Sequence, residues 1–278
     1  MHICVLTTTR GKLKELERLF KSLAAQTYSD FSILLGDQCA EGVLDSLIKE
    51  YSGLFPITRI CLQPCSLSVA RNLLLPHARG DLILFSDDDS YYSPNAFEQV
   101  ALCNAQEPRA GAFVAKGFPE PGPVEERFIP LKKMSRFSVF SKSPSWCLFV
   151  RKEAVDETGG FDEQLGIGSP TPWQSGEETD LLVRVISSGY SVYKAASVHA
   201  FHDAESLITP DLSRIKAYGM GRMYLLRKHK FPVWFNLLNI VYPLMHIVHE
   251  LPRLGWGAYR KRMAMFKGRL KGFFAVRN

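Results

Sequence analysis

The chain has 278 residues, of which 46% are hydrophobic, and a formal net charge of +6. It contains no low-complexity segment and no internal repeat, which excludes a repeat protein, and no uninterrupted run of about 20 apolar residues, which argues against a membrane span. Residues 211–278 contain 14 Lys and Arg but only two acids, a local charge of +12, so residues 1–210 sum to −6. We therefore predict an acidic body, 1–210, and a basic extension, 211–278, whose charge suits phosphate-bearing partners.

The first elements follow from apolar runs that alternate with helical periodicity. Ile3–Leu6 opens the chain with no basic segment or cleavage site before it, which predicts a strand rather than a signal peptide. The alternation predicts an α/β protein with a mostly parallel sheet and helices on both faces. Six cysteines scattered among apolar neighbours indicate reduced, buried thiols of a cytosolic protein. The predicted strands of this half are Ile3–Thr7, Ser32–Leu35, Ile57–Leu62 and Leu82–Phe85.

Three adjacent carboxylates, Asp87–Asp89, follow the last of these strands. Adjacent acids repel one another and need a counter-charge, and hard carboxylate oxygens suit Mg²⁺ or Mn²⁺. The alternative interpretation is a solvated acidic turn that precedes the helix after Pro94. The strand end also lies where open α/β sheets bind ligands. This stretch alone does not decide between a divalent metal site and an acidic turn.

Other polar residues follow the neighbouring strands. Thr8, Arg10 and Asp37 are expected at the same sheet edge as the acidic triplet, where they could contact a base and ribose. No glycine-rich phosphate loop occurs, so a nucleotide would be held by metal and side chains. Asp37 could equally form a turn, and Arg71 could equally be a solvated helix residue.

Two later features carry candidate chemistry. The predicted helix that starts at Gly176–Asp180 has Glu177, Glu178 and Asp180 in its first turn. These acids complement the positive helix end, and one of them could instead act as a general base. His202 follows a predicted strand, Tyr190–Val198, and is either structural or a metal ligand.

The basic extension has an aromatic and aliphatic stretch, Leu225–Leu251, interrupted by polar residues and Pro243. It favours amphipathic helices that lie on an anionic membrane surface. The alternative is a basic helical subdomain that packs on the core.

Together and in this order, the motifs resemble family 2 glycosyltransferases of the GT-A fold, a Rossmann-like arrangement. The C-terminal Tyr218–Arg222 and the basic helices resemble bacterial members that build cell-surface polysaccharide on a lipid carrier. The matching positions are Thr7–Arg10, Ser22–Tyr28, Asp37, Ala70–Asn72, Ala78–Asp81, Asp87–Asp89, Gly159–Glu163, Gly176–Asp180 with Arg184, and His202.

The resemblance implies roles for individual residues. It implies that Thr8, Arg10 and Asp37 contact the base and ribose, that Arg71 lines the nucleotide pocket, and that Asp88 lies towards the ribose and donor sugar. It implies metal ligation by Asp87, Asp89 and His202. The implied catalytic base is Glu178, with Glu177 and then Asp180 as the next candidates. Two positions depart from the family pattern. Glu178 stands where the family usually has Asp, and Asp37 is flanked by Gly36 and Gln38, whereas the family commonly has a second acid beside it.

The implied activity is inverting, metal-dependent transfer of a sugar from a nucleotide-diphosphate sugar, most commonly UDP-linked. The implied acceptor is a glycan or a polyprenyl-diphosphate-linked saccharide, and the implied location is the inner face of the cell membrane. A sugar nucleotidyltransferase and a non-catalytic carbohydrate- or lipid-binding protein are the alternatives. Nucleic acid is not expected as a partner, because residues 1–210 are acidic and no nucleic-acid motif occurs.

Overall fold

The computed structural model describes residues 1–119, 127–140, 144–202, 211–250 and 255–275. The chain forms two compact units. The first unit consists of Met1–Cys65, Val69–Phe161 and Leu181–Ser206, and the second of Ser66–Ser68, Asp162–Asp180 and Leu207–Asn278. The predicted boundary at residue 210 lies outside the described residues and stays a prediction.

The first unit is built on a nine-stranded sheet within the described residues. The strands are β1 (Ile3–Thr9), β2 (Phe31–Asp37), β3 (Ile57–Cys61), β4 (Leu82–Asp87), β5 (Ser90–Tyr92), β6 (Ala110–Phe118), β7 (Lys132–Met134), β8 (Leu148–Arg151) and β9 (Ser191–His202). Their order in the sheet is β3-β2-β1-β4-β8-β6-β9-β5, and β7 pairs with β9.

The parallel part of the sheet follows from continuous apolar runs, which suit strands covered on both faces. In β1, Ile3, Val5 and Leu6 are fully buried. The parallel register aligns Thr8 of β1 with Gly36 of β2 on one side and with Asp87 of β4 on the other. The polar ends of these three strands therefore meet at one edge of the sheet, as predicted.

Helices alternate with these strands along the chain. In α1 the buried residues Leu16, Leu19, Phe20 and Leu23 recur at helical spacing, as predicted. The short α2 (Asp45–Tyr51), in which Tyr51 is the buried residue, was not predicted. Nor was β5, whose three residues are too few for a periodicity signal. The helices are α1 (Leu13–Ala24), α2 (Asp45–Tyr51), α3 (Leu67–Leu74), α4 (Ala96–Gln106), α5 (Lys152–Thr158) and α6 (Glu177–Ser187). The first two residues of α3 and the first four of α6 belong to the second unit.

The predicted fold class is confirmed, with one refinement. The strands β1 to β4 and the pair β6 and β9 are parallel. However, β8 runs antiparallel to both β4 and β6, and β5 and β7 run antiparallel to β9. The sheet is therefore mixed and mostly parallel.

Within its described residues, the second unit contains three long helices, α7 (Leu212–Lys228), α8 (Val233–Glu250) and α9 (Trp256–Ala275). Glycines let α7 and α9 approach closely: a Cβ atom added at Gly268 would lie 2.1 Å from the carbonyl oxygen of Lys216, and one at Gly272 would lie 2.9 Å from Cα of Met220. The predicted basic helices are thus present. Among the described residues, we find no helix with the length and apolar character that a bilayer crossing needs.

Candidate active site

The acidic triplet lies where β4 ends. Asp87 is the last residue of β4, and Asp88 and Asp89 form the turn into β5. The antiparallel pairing of β5 with β9 places Ser90 opposite His202. A residue more than a hundred positions away thereby joins the triplet. The three acids have different partners, and these differences separate their roles.

Asp87 is bound by a buried arginine. Nη2 of Arg71 donates to Oδ1 of Asp87 at 2.7 Å, and the Arg71 side chain is 1% exposed. The guanidinium lies over the ring of Phe161, 5.2 Å from its centroid. Asn72 holds the backbone of Phe161, because its side-chain amide donates to the carbonyl of Phe161 at 2.9 Å and its oxygen accepts from the Phe161 amide at 2.8 Å. The Arg71–Asn72 pair thus positions Asp87.

Asp88 is buried and accepts a hydrogen bond from the hydroxyl of Thr9 at 2.7 Å. Nζ of Lys12 lies 3.5 Å from its Oδ1. Burial raises the pKa of Asp88 to about 6, against the lowering influence of the Thr9 hydroxyl and the Lys12 ammonium. The cost of desolvation here exceeds the compensation that these two groups provide.

The cost of burying Asp89 is offset more strongly than that of burying Asp88. Nε2 of His202 lies 2.9 Å from Oδ1 of Asp89, and Nζ of Lys12 donates to Oδ2 at 2.7 Å. Burial alone would raise the pKa of Asp89, but the hydrogen bonds from His202 and Lys12 outweigh it and hold this pKa well below its usual range. The His202 ring also stacks on Trp146 at 5.3 Å, which fixes its orientation.

The triplet and His202 provide a donor set for a metal ion. Ligand atoms of Asp87, Asp89 and His202 lie within 4.8 Å of one another. Two carboxylate oxygens and one imidazole nitrogen fit Mn²⁺ well and Mg²⁺ acceptably, because both ions prefer oxygen ligands and Mn²⁺ also accepts nitrogen. The residues present therefore fit a divalent cation.

Asp37 lies at the same sheet edge and is 2% exposed. Its Oδ2 accepts from Nε of Arg59 at 2.8 Å and from Nη2 of Arg59 at 2.6 Å, and its Oδ1 accepts from the amide of Cys39 at 2.8 Å. Arg10 is exposed, and its Nη2 donates to the carbonyl of Cys65 at 2.5 Å. Thr8 is partly exposed between Gly36 and Asp87.

The acids at the start of α6 belong to the second unit. Asp180 is fully buried, and its Oδ1 is bound by Nζ of Lys228 at 2.6 Å and by Nε2 of His229 at 2.7 Å. Glu177 is 5% exposed, and a Cβ atom at Gly166 would lie 2.8 Å from its Cδ. Glu178 is partly exposed.

The charges of Arg222 and Glu178 interact. Burial lowers the pKa of the Arg222 guanidinium to about 10, helped by the nearby charge of Arg269, whereas the charge of Glu178 opposes this shift. Of the three acids, Glu178 is therefore the one that combines access to solvent with a neighbouring cation.

Two basic residues of the first unit that bind these acids were not predicted from the sequence. Lys12 bridges Asp88 and Asp89, and Arg59 binds Asp37. The need for counter-charges beside buried acids was readable from the sequence, but many exposed Lys and Arg residues could have met it. Only the packing of α1 and β3 identifies these two.

Comparison with known proteins finds one family. Residues 4–141, just under half of the chain, match the family model of glycosyl transferase family 2. This segment of the chain is therefore similar to family 2 glycosyltransferases. A relative from Haemophilus influenzae named "Uncharacterized glycosyltransferase" is 23% identical over 223 residues, which cover 75% of this chain and 71% of that protein. The resemblance inferred from the motifs is thereby confirmed.

Solved structures support the fold. The mannosyltransferase PcManGT from Pyrobaculum calidifontis, in complex with GDP-Man and Mn²⁺, has a TM-score of 0.70 at 12% identity and covers 99% of this chain and 88% of its own. S. aureus TarS 1-349 with UDP-GlcNAc has a TM-score of 0.64 at 14% identity, covering 98% of this chain and 82% of its own. The chain spans 55% of the longer TarS chain. These similarities establish the GT-A fold.

Proposed function

We propose that this protein is a metal-dependent, inverting glycosyltransferase that uses a nucleotide-diphosphate sugar, with UDP as the favoured nucleotide. The observation that carries the proposal is the cluster of Asp87, Asp89 and His202, whose ligand atoms lie within 4.8 Å of one another. In a chain similar to family 2 glycosyltransferases, such a donor set supports a metal site for a diphosphate. The similar structures hold UDP-GlcNAc and GDP-Man, which leaves the donor sugar open.

We assign the metal site to Asp87, Asp89 and His202. A bound Mg²⁺ or Mn²⁺ supplies Lewis-acid neutralisation of the diphosphate leaving group. Arg71 holds Asp87 in place, and its buried Nη1 has no hydrogen-bond partner among the described residues. This unsatisfied donor supports a contact with the bound nucleotide, because a buried N–H without an acceptor is costly.

The remaining residues of the sheet edge contact the nucleotide in this proposal. Asp37, Thr8 and Arg10 bind the base and ribose, and Asp88 lies towards the ribose and donor sugar. The alignment of Thr8 with Asp87 and of Thr9 with Asp37 supports a common binding edge. Arg59 is added to this set, because it orients the carboxylate of Asp37.

Glu178 is the proposed general base. It removes the proton from the acceptor hydroxyl as the oxygen attacks the anomeric carbon from the face opposite the diphosphate. One displacement inverts the configuration and needs no enzyme nucleophile. Partial exposure supports Glu178 over the buried Glu177. Asp180 is the weakest candidate, since Lys228 and His229 already bind its carboxylate.

A panel of nucleotide sugars with and without Mn²⁺ tests the function. We expect one donor to raise the melting temperature only with Mn²⁺, and NMR of the transfer product to show the anomeric configuration opposite to that of the donor. A retained configuration contradicts inversion. Absence of any shift favours the non-catalytic alternative, and turnover of a nucleoside triphosphate with a sugar phosphate favours the nucleotidyltransferase.

The substitution Glu178→Gln tests the base. We expect kcat to fall by about 10²–10⁴-fold, the usual contribution of a general base, while donor binding stays near normal. Glu153→Gln, at an exposed acid of α5, is the matched control and keeps wild-type turnover. Wild-type turnover in Glu178→Gln overturns this assignment and makes Glu177 the next candidate.

We further propose that the protein is peripheral on the cytoplasmic face of the cell membrane, where its acceptor is a glycan or a polyprenyl-diphosphate-linked saccharide. The outward face of α8 supports this, because its exposed residues are apolar. They recur at helical spacing and comprise Val233, Trp234, Leu237, Leu238, Val241, Tyr242, Met245 and Val248, between 41% and 74% exposed. An apolar helix face beside a region of charge +12 fits an anionic bilayer surface.

Replacing Trp234, Val241 and Met245 together by Ser tests this membrane association. We expect the triple variant to lose co-sedimentation with anionic vesicles, because the buried apolar area supplies much of the binding free energy. The matched control replaces Leu54, Leu73 and Leu102 by Ser, and these are exposed leucines of the first unit. Equal binding by both triple variants contradicts the proposal.

A further inference from the structure

A groove in the second unit lies between the first turn of α7 and the first three turns of α9. Its cavity volume is about 500 Å³. The residues that line this α7/α9 groove include Lys216, Trp256, Tyr259, Arg260, Met263 and Lys267. The five from α9 lie at successive spacings of three, one, three and four positions, which places them on one face of that helix.

The groove exists because of how α7 and α9 pack. Gly268 meets Lys216 and Gly272 meets Met220, so the two helices run side by side in the same direction. Their backbones approach closely at these glycines. The bulkier side chains of Trp256, Tyr259 and Met263 lie before the glycine contacts and line the space between the two helix starts.

The charge of the groove is one-sided. Lys216, Arg260 and Lys267 line it, and no acidic side chain does so among the described residues. Three cations around one cavity repel one another, and an anion bound between them relieves this repulsion. Asp211, the acid before α7, accepts a hydrogen bond from the hydroxyl of Ser213. A phosphate group matches the cations in charge and hydrogen-bonding capacity.

An aromatic pair adds a second property to the same groove. Trp256 and Tyr259 stack with centroids 5.4 Å apart and planes 20° apart. Trp256 is 72% exposed, although it is large and apolar. Tryptophan and tyrosine favour the water–bilayer interface, where the ring contacts apolar groups and the polar atom contacts water. Cations and aromatic rings together match a phosphate attached to an apolar group.

We propose that the α7/α9 groove binds the phosphate group of an anionic membrane phospholipid, with Trp256 at the interface. Lys216, Arg260 and Lys267 contact the phosphate, and the Trp256–Tyr259 pair contacts the glycerol and upper acyl region. This site rests on the membrane association proposed above. It adds recognition of a headgroup to the apolar contact made by α8.

A charge-matched comparison in the full chain tests the site. The groove variant is Arg260→Gln with Lys267→Gln, and the control is Lys261→Gln with Lys271→Gln, which removes two positive charges from α9 outside the groove. Loss of general attraction to an anionic surface weakens both variants alike, by about fivefold per cation. We expect the groove variant to bind phosphatidylglycerol-containing vesicles at least about tenfold more weakly than the control. Equal weakening overturns the proposal.

Further arms identify the source of the phosphate and separate the two proposals. Inorganic phosphate and glycerol phosphate are added in a thermal-shift assay, where we expect little stabilisation of the wild type. Strong stabilisation that the groove variant lacks points to a soluble phosphate ligand and overturns the lipid assignment. Vesicle binding that depends on the α8 face but is equal in the two α9 variants leaves the membrane association intact and removes only the groove site. Donor-dependent thermal shifts with Mn²⁺ stay at wild-type size in the groove variant.

Discussion

Arg59 binds a single oxygen of Asp37 with two nitrogens, Nε at 2.8 Å and Nη2 at 2.6 Å. The other oxygen of Asp37 accepts from the Cys39 amide. The carboxylate is 2% exposed and is thus fixed at the sheet edge before any ligand binds. Arg59 reaches it from the neighbouring strand, where Asp37 is aligned with Cys61.

Arg59→Met tests the weight of this pair. It leaves a buried carboxylate without its cation, and we expect the free energy of unfolding to fall by about 2–3 kcal/mol in urea titrations. Asp45→Asn is the control, because Asp45 binds the same guanidinium from an exposed position and should cost less than about 1 kcal/mol. If Arg59→Met unfolds at the wild-type urea concentration, the pair does not stabilise the fold.

Lys12→Met tests the charge balance of the acidic triplet. Nζ of Lys12 is 2.7 Å from Oδ2 of Asp89, so the Lys12 ammonium competes with a metal ion for the same carboxylates. We expect Mn²⁺ to bind about 3- to 10-fold more tightly in the absence of donor, in line with a surface ion pair of about 1 kcal/mol. Lys14→Met, at an exposed position of α1, leaves the affinity unchanged. Weaker Mn²⁺ binding in Lys12→Met would contradict this account, and isothermal titration measures both variants.

Gly160→Ala and Gly159→Ala separate backbone strain from a steric clash. Both glycines have positive φ angles, 75° and 78°, so either alanine costs about 1 kcal/mol. A Cβ atom at Gly160 would also lie 2.7 Å from Oδ1 of Asn72, whereas one at Gly159 meets nothing within 4 Å. Asn72 cannot move freely, because it makes two hydrogen bonds to Phe161. We expect a clearly lower melting temperature for Gly160→Ala, and equal values would exclude the clash.

Gly268→Ala and Gly257→Ala should change stability in opposite directions, although both glycines are in α9. The first places Cβ 2.1 Å from the carbonyl of Lys216, so α7 and α9 must separate, and we expect a loss of about 2 kcal/mol or more. The second meets nothing within 4 Å, and alanine there gains helix propensity of up to about 1 kcal/mol. Thermal unfolding followed by circular dichroism measures both changes. A tolerated Gly268→Ala would contradict the close packing of the two helices.

Asp180→Asn tests whether this acid is structural. The carboxylate is fully buried and ion-paired with Lys228, so we expect a loss of about 3 kcal/mol or more. Asp162→Asn removes the second partner of Lys228 from a less buried position and should cost less. A stable Asp180→Asn variant with greatly reduced turnover would instead point to a catalytic role.

The sequence alone predicted the fold class and the resemblance to family 2 glycosyltransferases. Continuous apolar runs such as Ile3–Leu6 identify buried strands, since burial on both faces removes the alternation of polar and apolar residues. The helical spacing of apolar residues identified α1 and the start of α6, because this spacing is also a local pattern. The short elements α2 and β5 were missed, because three to seven residues contain too little periodicity to distinguish them from a loop.

By itself, the sequence determined the order of its elements, its resemblance to family 2 glycosyltransferases, the acidic strand end and the charge of the basic extension, because each is a local pattern or a count. Only the tertiary structure decided which cations serve Asp37 and Asp89, that Asp180 is held by Lys228 and His229, and that cationic and aromatic side chains line one groove. Those outcomes depend on strand register and helix packing, which bring together residues far apart in the chain. No local pattern encodes such distances.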